Sequence, residues 1–290
     1  IQLDTIRVNI SSDSTKTLFD GQIRNNRYNK QYVFNALFRG AFYQQSLFFG
    51  TRIYDDRNRL GVALGVKADM EQNGIRVSLG GIDPVFGYKK FKVNKGNYLF
   101  FADDDRISAD MRLLADDGMG VKVFSNDSTE ALQDLTIGLT RFDLAKVLSV
   151  IPYAPNVSGV MNGDFHYINS ESDMSVSSSV RGDNLSYDGC KIGNVASEFI
   201  YMPRDEGNEH CVDGTLSIDD QEVCTLSGTY ITSGFGHLNA DIELQRTPLL
   251  MLNGFIPDRL LNFGGYAVGH VKVDGQLDRL DVDGELMFES

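Results

Sequence analysis

The sequence predicts an all-β protein: a long curved or rolled sheet with one apolar face, interrupted by two short amphipathic helices. Three observations carry that reading. Short runs in which apolar and polar residues alternate follow one another almost from end to end, the period-two mark of strands with one buried side. Glycine outnumbers proline, 29 against 6, and most glycines punctuate those runs where tight turns belong. Two stretches break the period, and they are copies of each other.

In chain order, Ile1, Leu3, Ile6, Val8 and Ile10 open within a strand-like run. Gln22 to Tyr28 and Tyr32 to Phe38 flank Asn29-Lys30-Gln31, a hairpin tip. Ala41 to Tyr54 is the most aromatic stretch, and aromatics on paired strands ordinarily serve packing. Val62, Leu64, Val66, Ala68 and Met70 put five apolar residues on one face. Asn73-Gly74 then signals a hairpin, and Ile75, Val77 and Leu79 form the return strand. After Gly80 to Pro84, Lys89, Lys90, Lys92 and Lys95 interleave with Phe86, Tyr88, Phe91 and Val93. This reads as a sheet edge that lysines protect from aggregation. Three short strands follow to Val123, joined by Asp103-Asp104-Asp105 and Asp116-Asp117-Gly118; neither turn has the ligand spacing of a calcium loop. Beyond the first repeat copy, strands continue through Met174 to Val180, Ile192 to Tyr201, Val212 to Ile218 and Val223 to Ile231.

The repeat spans 135–170 and 240–277. Leu135 to Pro152 lies without a gap over Ala240 to Pro257, and one inserted residue later Gly159 and Gly163 fall on Gly265 and Gly269. Each copy holds an alternating strand, an amphipathic stripe ended by proline, then Gly-x-x-x-Gly leading into another strand. Leu144, Val147, Leu148 and Ile151 share one helical face behind Asp143, a suitable N-cap. Leu249, Leu252 and Ile256 do the same behind Thr247 and Pro248. Helices this short must lay their stripe on an apolar surface. They are read either as plugs lying in or across a curved sheet or as helices packed on an ordinary β core.

Several function classes are disfavoured. A formal charge of −13 weighs against nucleic acid, which is bound first by neutralising phosphates, and against an anionic leaflet. Cys190, Cys211 and Cys224 are odd in number and lack C-x-x-C spacing; hairpin register sets no two opposite each other, so at least one free thiol is expected. His166, His210, His237 and His270 are spread singly, and the second copy carries Lys272 where the first has His166. With no nucleophile elbow, phosphate loop or metal-ligand cluster, the chain is read as non-enzymatic, with no cofactor and no metal. No stretch approaches the ~20 apolar residues of a membrane helix. Residues 1–290 are read as one continuous repeat-built β region cut from a longer chain, any anchor lying outside it.

The order strand, amphipathic segment, Ile-Pro, Gly-x-x-x-Gly, strand, together with Val273 to Leu277 and Leu280 to Ser290, resembles the TamB family. These are translocation-and-assembly-module subunits with AsmA-like repeats, found in the envelopes of double-membraned bacteria. The resemblance covers 132–170 and 238–290 most clearly. It implies a β-taco-like sheet with an open apolar groove, in a periplasmic protein anchored in the inner membrane. It implies phospholipid, or another acyl-chain ligand, moving between inner and outer membrane, and work with an outer-membrane β-barrel protein in assembling other envelope proteins. Candidate groove residues are Val62, Leu64, Val66, Ile75, Val77, Leu79, Ile137, Leu139, Ile242 and Leu244. Candidate plug residues are Leu144, Val147, Leu148, Leu249, Leu252 and Ile256. The alternative is a closed β scaffold or adhesion module, in which the same residues are core and the exterior binds protein or glycan.

Overall fold

The computed structural model describes residues 4–28, 31–126, 132–151, 154–170, 174–204, 208–254 and 263–289. It is all-β, with twenty strands, and every described strand pairing is antiparallel. The chain divides into two compact units: Ile1–Asp127 with Ala145–Ala154, and Ser128–Leu144 with Pro155–Ser290.

In the first unit, β1 (Thr5–Ser12), β2 (Lys16–Tyr28), β3 (Gln31–Tyr43), β4 (Ser46–Tyr54), β5 (Leu60–Glu71) and β6 (Gly74–Leu79) form a meander. The short β7 (Val85–Phe86) and β8 (Lys89–Val93) join the ladder through β5 and through β10 (Ile107–Ala115). β9 (Tyr98–Ala102) lies between β6 and β10, and β11 (Gly120–Ser125) pairs with β10. The lysine-rich β8 is therefore hydrogen-bonded on both sides, to β7 and β10, and is not the sheet edge its sequence suggested. The hairpin at 60–79 forms, but Gln72 and Asn73 make its tip and Gly74 is already paired with Glu71. Gly74 serves a close approach instead: a Cβ there would sit 2.2 Å from the Phe101 carbonyl oxygen.

The second unit is an unbroken meander. β12 (Gln133–Asp143), β13 (Val157–Asn169), β14 (Met174–Tyr187), β15 (Cys190–Arg204), β16 (Glu209–Ile218), β17 (Gln221–Ile231), β18 (His237–Pro248), β19 (Tyr266–Gln276) and β20 (Arg279–Glu289) each pair with the next.

Register makes both units two-faced, because residues directly opposite across antiparallel strands project to the same side. In the first unit Ile10, Phe19, Gly40, Phe49, Val66 and Leu79 form one cross-strand row, and Ile6, Ile23, Ala36, Ile53 and Val62 another. In the second unit Ile137, Phe165, Ser178, Phe199, Gly214, Leu226, Ile242, Val271 and Gly284 line up. The neighbouring row on the opposite face is His166, Ser177, Ile200, Asp213, Ser227, Asp241, Lys272 and Asp283.

The two repeat copies share backbone detail. One extra residue bulges out of β12 between Leu139 and Phe142 and out of β18 between Leu244 and Thr247. In both bulges an arginine, Arg141 at φ 47 and Arg246 at φ 56, takes the left-handed conformation. Gly163 and Gly269 stand opposite Leu139 and Leu244 in register, with a would-be Cβ 2.3 Å and 2.0 Å from the next strand's carbonyl oxygen.

The expected pair of three-turn helices is not what forms. The first copy has a five-residue helix, α1 (Leu144–Leu148), after which Val150 and Ile151 donate to Val147 and Leu148 in the tighter 3₁₀ pattern. The second has a 3₁₀ segment, Leu249–Gly254. Ser149 diverts its hydroxyl to the Lys146 carbonyl, and Asn253 bonds both ways with the Phe263 backbone instead of prolonging a helix. Segments this short gain too few helical hydrogen bonds to offset nucleation.

Gly269→Ala is expected to lower stability by about 2 kcal/mol or more, since it adds both strain at φ 148 and a backbone clash. Gly80→Ala, with open space around the site, should change little. Denaturant midpoints of the two variants check this, and equal midpoints would remove the steric role given to Gly269.

Candidate functional site

The apolar faces are the candidate site, and alternation alone builds them. Val62, Leu64 and Val66 lie on the face of β5 that continues through Leu79, Val77 and Ile75 of β6, as Val66 pairs with Leu79, Ala68 with Val77 and Met70 with Ile75. Ile137 and Leu139 lie on the face of β12 shared with Phe165, and Ile242 and Leu244 on that of β18 shared with Leu226 and Val271. All ten expected groove residues thus fall on an apolar face of one unit or the other. The candidate groove residues leave out others on the same faces, including Phe49, Ile53, Tyr167, Val176, Tyr201, Val212, Val273 and Val282, although each belongs to a stretch that the sequence reading names.

These faces are not sealed. Ile75, Ile137, Phe165, Phe199, Leu226, Leu280 and Leu286 are exposed, while Val62, Leu64, Val66, Val77, Leu79, Leu139, Ile242 and Leu244 are half-buried. Burial is local. In the first unit most of it gathers around β8, β10 and β11, at Phe91, Ala109, Met111, Ala115 and Met119, with Ala36 and Ala63 buried in β3 and β5. In the second it lies at Ile218, Val223 and Ala267, towards the end of the sheet where the 3₁₀ segment begins, and at Cys211 of β16.

The two expected plugs behave differently. Val147 of α1 is buried with 5% exposure, Leu144 and Leu148 are half-buried, and the segment sits on the first unit. There a Cβ on Gly61 would meet Val150 at 2.8 Å and one on Gly87 would meet the Lys146 backbone at 2.8 Å. In the second copy Leu249 is half-buried and its N–H donates to the Gly265 carbonyl. This 3₁₀ segment packs against β15, three strands away from β18 in hydrogen-bonded order. Ile218, opposite Val195 of β15, and Ala267, opposite Thr247, are the buried apolar-face residues at that end. Ile256 lies outside the described residues, as does the side chain of Leu252.

Electrostatics elsewhere are those of a solvated surface. Beside Val150's seat, Asp55 receives hydrogen bonds from the Arg59 and Arg57 N–H groups, the Arg59 side chain and the Tyr88 hydroxyl. Burial pushes the Asp55 carboxyl up, but these donors outweigh it and hold it below the ordinary carboxylate range. Burial and the bond to Asp55 push the Tyr88 hydroxyl up. Three of the four lysines of the cluster are paired: Lys89 with Asp117, Lys90 with Asp83 at 2.5 Å and Lys92 with Asp116 at 2.7 Å. On the second unit's polar face His166 pairs with Asp134 at 2.8 Å and His270 with Asp241 at 3.0 Å. A shallow cavity of about 410 Å³ on that face is lined by Asp164, His166, Ser177, Ser179, Glu198 and Thr215 among others. Cys190, Cys211 and Cys224 are free thiols, and burial pushes the Cys224 thiol up, away from the reactive thiolate. Among the described residues no group of three His, Cys, Asp or Glu is placed to hold a metal ion. No described helix is long and apolar enough to cross a membrane.

Compared with family models, curated proteins and solved structures, the chain matches none of them.

The lowered Asp55 pKa has a definite sign. Its stabilising contribution is full above the unfolded carboxylate value, about 3.9, and is lost as pH falls through the lower folded value. The stability gap between the native protein and Asp55→Asn should be constant down to about pH 4 and shrink below it. Urea melts across that range test this; a gap unchanged down to pH 2 would remove Asp55 from the account.

Proposed function

We propose that this protein is a non-enzymatic cell-envelope component whose apolar faces form an open groove that carries phospholipid acyl chains between inner and outer membrane. On this reading it resides in the periplasm, held to the inner membrane by a segment outside 1–290. Its partners are phospholipid and an outer-membrane β-barrel protein of the assembly machinery. The repeat's likeness to the TamB family supports that placement.

One observation carries the reading. Register brings apolar residues of consecutive strands onto one face of each unit, and many of those side chains stay in contact with solvent. An ordinary domain would cover such a face, because apolar surface left in water forfeits about 25 cal/mol per Å². An acyl chain laid on it gains about 0.8 kcal/mol per buried CH₂, nearly alike at every point along the surface. A chain can therefore slide with small barriers, and no catalytic residue is required. The 3₁₀ segment that follows β18 and reaches β15 acts as a stop at one end of the second unit's face.

Solvent extraction of the purified protein followed by mass spectrometry should recover phospholipid in stoichiometric amount. Leu226→Glu, at an exposed position in the middle of the apolar face, should abolish the recovered lipid with the far-UV circular dichroism unchanged. Ser227→Lys on the opposite face, where the new charge lies between Asp213 and Asp241, should leave both untouched. Native protein that carries no lipid above background, or a Leu226→Glu variant that retains it, would return the chain to a closed scaffold.

A further inference from the structure

The two ends of the second unit's sheet differ in chemistry. Because successive strands reverse direction, the start of β12, the β17–β18 loop and the β19–β20 turn share one end. The turns at Asp188-Gly189 and Asp219-Asp220, together with the 3₁₀ segment, share the other. The first end is tipped with bare apolar side chains. Phe235 is 88% exposed in the β17–β18 loop, Leu277 59% in the β19–β20 turn and Leu132 51% just before β12. The second is tipped with aspartates.

Behind the apolar tips runs a row of rings on the apolar face. His210 stacks between Tyr201 (centroids 5.9 Å apart, planes at 9°) and Tyr230 (6.2 Å, 27°). The Tyr201 hydroxyl and His210 Nδ1 are 2.7 Å apart. Tyr167 joins the belt one pairing further on, through Val176, which lies opposite both Tyr167 and Tyr201. The Phe235 loop is held to this belt at Gly236, buried at φ 75, where a Cβ would sit 2.5 Å from the Tyr230 hydroxyl oxygen. This end is acidic: Arg204 and Arg279 are outnumbered by Glu209, Asp274 and Asp278, and the sequence between β13 and β14 and between β15 and β16 adds Glu171, Asp173, Asp205 and Glu206.

We propose that this end of the sheet docks on a zwitterionic lipid surface, with Phe235, Leu277 and Leu132 entering the acyl layer and the Tyr201–His210–Tyr230 stack at head-group level. Large bare apolar tips backed by rings with one wet and one dry side suit a membrane interface better than bulk water or a flat protein surface. An acidic end, in a chain of net charge −13, is repelled by an anionic surface and leaves a zwitterionic one. The choice of lipid as partner rests on the acyl-carrier reading; the docking end gives that carrier a direction, since the apolar face then opens towards the membrane and its 3₁₀ stop lies at the far end.

The sequence contains no tryptophan, so Phe235→Trp supplies a single reporter. With phosphatidylcholine vesicles its emission should shift to the blue and be quenched by lipids brominated in the acyl chains. Phe235→Ser with Leu277→Ser should weaken vesicle co-sedimentation roughly tenfold per side chain removed, with an unchanged melting curve and unchanged phospholipid recovered from the protein. Weakened docking with lipid still carried supports the inference. Docking that survives the double substitution, or a reporter that stays unquenched, overturns it whether or not lipid is carried.

Discussion

Everything in this fold depends on cross-strand register. A strand alternates its side chains, so a slip of one residue would move an entire apolar set to the opposite face. Along one row from β12 to β20 no such slip intervenes: Leu135, Tyr167, Val176, Tyr201, Val212, Gly228, Ala240, Val273 and Val282 face one way. Where a bulge intervenes it re-aims the strand. The extra residue before Phe142 brings that ring level with Met161 on the apolar side, just where the chain leaves the sheet for α1.

The repeat shows which features this register needs. Both copies keep the bulge, the left-handed arginine and the glycine whose Cβ would strike the neighbouring carbonyl. They differ in the segment that leaves the sheet: a five-residue α-helix seated at Gly61 and Gly87 in one, a 3₁₀ segment reaching β15 in the other. The bulge and the glycine fix where the backbone departs from the sheet in both copies. A left-handed arginine costs something of order 1 kcal/mol where glycine would not, and its presence in both copies marks the departure point as a shared device.

Much of the fold was legible in the sequence because it is written in local alternation. The strands flanking Gln72-Asn73 and the shared apolar side of the ten residues chosen from alternation follow from a period of two. The features that were not legible depend on partners distant in sequence. Nothing near Lys89 to Lys92 tells that β10 will claim β8 and supply Asp116 and Asp117 through its following turn. Gly74 carries the strongest local turn signal, yet its role is set by Phe101 of a strand much later in the chain. The helical stripes were real as patterns, since Val147 is buried, but a pattern fixes which side faces inward and not how many turns survive. Stripe length is decided by competing bonds such as those of Ser149 and Asn253.

The polar face bears on which molecules can cover the apolar one. A two-faced sheet stays in solution only if its wet side carries enough charge and hydroxyl groups to keep copies apart while its dry side awaits cover. Asp164, Glu198, Asp213, Glu243, Asp283 and Glu285 all lie on the wet side of the second unit, and part of the net charge of −13 is concentrated there. Self-repulsion on one face and unsatisfied hydrocarbon on the other pull in the same direction. Stacking two copies dry side to dry side would hide the apolar surface, but it would also bring two acidic molecules together, whereas a neutral hydrocarbon chain covers the surface without that penalty. On the acyl-carrier proposal, the acidity that weighs against nucleic acid as a partner also weighs for an uncharged tail over a second copy as the cover.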